Sequence, residues 1–135
     1  MPGPFAPIED RLLDAMQNSA RGPRQNGLFA LWLFVRHCEG ALPPDHLSER
    51  ALEGRLAGLE QRLGSLSLPA PLRRALPASI RELRGDRGDR VGVALQQLVA
   101  PAREASGGAV AEALAQAARA ARQLVRERPE ARARA

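Results

Sequence analysis

The 135-residue chain contains no tyrosine, every one of its 20 basic residues is arginine, and threonine is missing as well. Valine occurs six times and isoleucine twice, while alanine and leucine dominate. Residues that pack well on a pleated sheet are therefore scarce, which excludes a β-rich fold and predicts an all-α one. A single cysteine, Cys38, excludes an intramolecular disulfide framework and suits a reducing compartment. Apolar runs are short. The longest, Leu28 to Val35, has eight residues, against the roughly 18 to 20 that a membrane-spanning helix needs. The opening Met-Pro-Gly-Pro-Phe-Ala-Pro lacks the basic region and apolar stretch of a secretory signal. Cytoplasm without a membrane anchor is the expected setting.

Charge is abundant but uneven. The formal net charge is +5 and the isoelectric point about 11.2. Residues 1–68 hold seven arginines against eight acidic residues, and residues 69–135 hold thirteen against seven. The basic character thus belongs to the C-terminal half, where it can meet phosphates or an acidic protein surface. Uniform use of arginine over lysine also fits a codon bias, which weakens the isoelectric point as a guide to function.

Along the chain, residues 1–6 read as an extended leader, 7–126 as one helical domain and 127–135 as a flexible basic tail. Pro7 suits the first turn of a helix bearing Ile8, Leu12, Leu13 and Met16. Asn26 is a candidate cap for a second helix that runs to Glu39 and stops at Gly40. In that helix Leu28, Phe29, Leu31, Trp32, Leu33, Phe34 and Val35 cover nearly the whole circumference, which requires burial on almost every side. After Pro43-Pro44, a helix from Ser48 carries Leu52, Leu56, Leu59, Leu63 and Leu66 at spacings of four, three, four and three, a heptad seam too short for an independent coiled coil. A fourth helix bears Leu72, Leu76, Ile80 and Leu83, with Pro77 expected to kink or split it. Arg84 to Arg90 reads as a loop with Asp89 as the next cap. Val91, Leu95, Leu98, Val99 and Ala102 then form one stripe, Ser106-Gly107-Gly108 separates it from the last helix, and Val110, Leu114, Ala117, Ala121, Leu124 and Val125 line that helix. The expected architecture is a single compact bundle of five or six helices around the hydrophobic Trp32 helix.

Motifs for chemistry are weak. His37-Cys38-Glu39 with Asp45-His46 is the sole candidate metal or nucleophile cluster, but neighbouring helical residues diverge by about a hundred degrees and no second cysteine exists. No catalytic residue, metal or cofactor is expected, and the chain does not read as an enzyme. Gly85-Asp86-Arg87-Gly88-Asp89 lacks the lysine and the preceding strand of a nucleotide-binding loop. Its two Arg-Gly-Asp triplets carry no sign of secretion.

Two binding readings remain. The first is a protein–protein interaction module, a subunit, adaptor or chaperone that meets another protein or a second copy of itself. Its candidate contacts are Phe29, Trp32 and Phe34, three of the four aromatic residues, together with Leu52, Leu56, Leu59 and Leu63 of the leucine seam. The second is a nucleic-acid-associated subunit in which Arg73, Arg74, Arg81, Arg84, Arg87 and Arg90 neutralise phosphates. No aromatic residue interleaves these arginines, so stacking on bases has no platform there.

Overall fold

Where the sequence is rich in leucine and alanine and poor in β-branched residues, the computed structural model is helical. It describes residues 5–42, 48–85 and 88–127 and contains no strand among them. The helices are α1 (Ala6–Gln17), α2 (Pro23–Glu39), α3 (Glu49–Gly64), α4 (Ala70–Arg84), α5 (Arg90–Gln97), α6 (Val99–Ser106) and α7 (Gly108–Glu127). Because α5 and α6 meet at Leu98, whose own backbone is α-helical, the described residues form a bundle of six helices with the fifth broken in two.

That break has a cause in the sequence. Pro101 has no N–H to offer the Gln97 carbonyl, and its ring crowds that oxygen. The ladder tightens accordingly, with Leu98 N–H bonded to the Leu95 carbonyl at 3.1 Å, before Ala102 N–H restores the regular spacing to Leu98. The stripe expected there survives the break, since Val91, Leu95, Leu98, Val99 and Ala102 are all buried. Pro77, by contrast, does not split α4, which runs through it.

Three starts differ from the sequence reading. Phe5, assigned there to an extended leader, is fully buried and precedes α1 directly. Its ring gains more from the core than an extended segment could offer it. Helix α2 begins a turn earlier than Asn26, with Pro23 in its first turn, where a missing N–H costs nothing. Asn26 lies inside the helix, and its side-chain amide donates to the Ser67 carbonyl at 3.1 Å. Asp89 stands before α5 as expected but makes no side-chain capping bond. Ser48 does cap α3, accepting from Ala51 N–H at 3.1 Å. The reversal between α6 and α7 depends on Gly107, whose φ of 99° lies where side chains are strained.

The core is continuous from Phe5 and Ile8 of α1 through α2, the leucine seam of α3 and the inner faces of α4 to α7. Helix α2 packs against α1, α3 and α6, and α7 against α1, α5 and α6. Alanines 111, 117, 118 and 121 are buried on α7, so that neighbouring backbones approach it closely. Ser79 adds a buried polar tie, its hydroxyl donating to the Ala94 carbonyl at 3.1 Å between α4 and α5. No described helix is long and apolar enough to cross a membrane.

Candidate functional site

Between Leu28 and Val35 helix α2 is apolar on nearly every side, and α1, α3 and α6 cover most of it but leave one narrow side partly open. Phe29 and Trp32 are half-buried and Arg36 is exposed. Their spacing of three and four puts them in one row along the helix. The two rings stack with centroids 6.1 Å apart and planes 17° from parallel. Arg36 of the same helix lies over Trp32 at 5.7 Å, and Arg62 of α3 lies over Phe29 at 5.3 Å. Two cations therefore bracket two stacked rings.

Helix α1 borders this row. Arg36 pairs with Glu9 at 3.6 Å, and the Gln25 amide donates to the Met16 carbonyl at 3.1 Å. Between those two ties, Leu13 shares the α1 face of Glu9 and Met16 and is 42% exposed, the one large hydrophobic residue so exposed among the described residues. Leu13, Phe29 and Trp32, edged by Glu9, Arg36 and Arg62, thus form a mixed apolar and charged face at the junction of α1, α2 and α3. The indole Nε1 of Trp32 is buried and has no hydrogen-bond partner, an arrangement that ordinarily costs about 1–3 kcal/mol.

Of the residues singled out from sequence for partner binding, the structure keeps Phe29 and Trp32 at the surface. Phe34 points the other way and is fully buried, and Leu52, Leu56, Leu59 and Leu63 lie in the core. The chain's own α2 and α4 cover the seam, so no second chain is needed for that. Leu63 also lines a cavity of about 240 Å³ with Leu68, Leu76, Pro77 and Ile80. Arg36, Arg62 and Leu13 were not among the partner-binding residues singled out from sequence. The repeat Phe29–Trp32–Arg36 at helical spacing was the available signal for Arg36. Arg62 lies 33 positions from Phe29 and leaves no local trace.

The arginine stripe does not form as a single surface. Arg73, Arg74 and Arg81 are exposed on α4. Arg84 instead pairs with two carboxylates of α3, Glu53 at 2.8 Å and Glu60. These contacts raise the Arg84 pKa further and hold the Glu60 carboxyl below its ordinary range, chiefly through the hydrogen bond between the two. Arg90 is buried and donates to the Gly85 carbonyl at 2.7 Å and to Glu49 at 3.4 Å. Both were assigned to phosphate binding from sequence, and both are occupied inside the protein because acidic residues of α3 lie across from them. Arg87 falls outside the described residues.

The one candidate cluster for metal or nucleophilic chemistry does not assemble either. Cys38 is buried, and burial, with Glu39 adding to it, pushes its thiol well above the ordinary value, which disfavours the reactive thiolate. His37 is held by its own helix, Nδ1 donating to the Leu33 carbonyl at 2.7 Å. Asp45 and His46 lie outside the described residues, among which no group of three potential metal ligands occurs. No protein-family model matches the chain, and no curated protein or solved structure shows detectable similarity to it.

Proposed function

We propose that this protein is a small helical interaction module of the cytoplasm that docks a protein partner on the face formed by Leu13, Phe29 and Trp32. The observation that carries this reading is the pair of half-buried stacked rings between two arginines, with the Trp32 indole N–H buried beneath them and unpaired. Tryptophan, arginine and phenylalanine supply contact area together with directional polar groups, the combination that concentrates binding energy at interfaces. Turning the Trp32 ring toward an acceptor on the partner would recover the hydrogen bond it lacks in the free protein. The nucleic-acid reading gains nothing comparable, since two of its six arginines serve internal contacts.

Site-specific photo-crosslinking in the native host tests the proposal. A benzoylphenylalanine at Leu13 is expected to trap a defined protein, or a second copy of the chain, resistant to nuclease. The same probe at exposed Gln96 should trap none, and Phe29→Ala or Arg62→Ala should abolish the crosslink at Leu13. Equal capture from both positions, or loss of all capture on nuclease treatment, would overturn the reading.

A further inference from the structure

Three further arginines of the C-terminal half, Arg119, Arg122 and Arg126, line one cleft. Gly88 and Asp89, before α5, and Arg119, Arg122, Val125 and Arg126 of α7 line a cleft of about 460 Å³. Spacings of three and four turn the three arginines to one side of α7. Arg122 is half-buried because its stem lies across Gly92 of α5. A β-carbon at position 92 would stand 2.6 Å from Arg122 Cγ and 3.0 Å from Nε. The missing side chain is what lets the guanidinium lie there. No carboxylate is paired with Arg122 among the described residues. Arg119 pairs with Glu112 at 3.6 Å, but both side chains are about 60% exposed, so water and salt compete easily for that contact. Among the described residues, Asp89 is the only carboxylate lining the cleft.

We propose that this cleft binds an oligophosphate, a small ligand with two or more adjoining phosphate groups, through Arg119 and Arg122. A guanidinium presents paired N–H donors that match two oxygens of a phosphate. Arg119 and Arg122 stand about 4.5 Å apart along the helix axis at about 1.5 Å per residue, so adjoining phosphates engage both while a lone carboxylate engages one. No aromatic ring lines the cleft, so recognition rests on phosphate oxygens and not on stacking of a base. This site shares no residue with the α1–α2–α3 face, and either proposal can fail without the other.

Calorimetric titration of the full chain with sodium triphosphate tests it, with inorganic phosphate and a nucleoside triphosphate as parallel arms. The expected result is saturable binding of triphosphate, weaker at high salt and at least tenfold tighter than inorganic phosphate. Arg119→Gln, at an exposed position that leaves the fold intact, should weaken it threefold or more, and Arg122→Gln at least tenfold. Gly92→Ala, which displaces the Arg122 stem without changing charge, should weaken it too, whereas the pair Arg73→Gln and Arg74→Gln should not. Equal affinity for triphosphate and nucleotide would assign recognition to the phosphates alone, and tighter nucleotide binding would add a nucleoside contact; both support the site. Absence of saturable binding, equal weakening by the α4 pair, or binding of polynucleotides only would overturn it.

Discussion

Replacing Arg90 by alanine separates a surface cation from a structural tether, and the structure sets the size of the effect. A surface arginine changed to alanine shifts stability by about 0.5 kcal/mol or less. Arg90 is buried, and its guanidinium donates to the Gly85 carbonyl at 2.7 Å. A hydrogen bond from a charged group contributes about 1.5–3 kcal/mol. Its buried stem adds about 0.8 kcal/mol per methylene. The contact with Glu49 is long, at 3.4 Å, and its carboxylate is 71% exposed, so it contributes about 1 kcal/mol at most. Arg90→Ala should therefore destabilise the domain by about 3–5 kcal/mol, a large share of the roughly 5–15 kcal/mol stability of a typical domain. Arg90→Met, which keeps most of the stem, should lose less, about 1.5–3 kcal/mol.

Urea unfolding followed by far-ultraviolet circular dichroism measures this directly, and fluorescence of the sole tryptophan, Trp32, provides a second probe. With a urea slope of about 2 kcal/mol per molar, the midpoint for Arg90→Ala should fall by about 1.5–2.5 M. Arg73→Ala, exposed on α4, is the matched control and should leave the midpoint in place. Equal midpoints for the two variants would refute the tether and return Arg90 to the free surface charges.

Phe34→Ala removes a fully buried ring and should cost about 3–5 kcal/mol, whereas Phe29→Ala, which loses a half-buried ring and its stacking partner, should cost clearly less in the same assay; reversed ranks would mean the two faces of α2 are misassigned. Acid unfolding should carry a contribution from Glu60, whose carboxyl is held below its ordinary 4.5 by Arg84. A group with a depressed folded pKa stabilises above its unfolded value, and that stabilisation is lost as pH falls through the lower folded value. Glu60→Gln should thus lower stability at neutral pH slightly and flatten the decline below pH 4.5, and an unchanged acid limb would show that the pair contributes nothing.

Local pattern carried far into the fold but stopped at the surface of α2. The leucine seam of α3 was readable because a spacing of three and four has one meaning on a helix, and Leu52, Leu56, Leu59 and Leu63 are buried together. Helix α2 offered no such periodicity. With apolar residues on every side, which of Phe29, Trp32 and Phe34 stays outside depends on which neighbours arrive, and those that do, chiefly α1, α3 and α6, leave the Phe29–Trp32 side partly open. Phe5 was missed for a related reason: two prolines and a glycine before it suggest an extended leader, but its ring is fully buried in the common core, which no local pattern announces.

The arginines show most clearly why charge is harder to read than hydrophobicity. An apolar residue is buried by whatever lies opposite, while a cation's role depends on whether a carboxylate stands within a few ångströms. Glu60 and Glu49 lie 24 and 41 positions from Arg84 and Arg90, beyond any local window. These contacts run from α3, whose carboxylates lie outside its leucine seam, to Arg84 at the end of α4 and Arg90 at the start of α5. Helix α3 is thus attached twice, by burial of its seam and by ion pairs along its flank. The two attachments respond differently to salt: exposed ion pairs weaken as the screening length falls to about 3 Å at 1 M salt, and apolar burial does not. High salt should therefore loosen the flank of α3 while its seam holds, and the cations it releases, Arg84 first, belong to the architecture and not to a nucleic-acid surface.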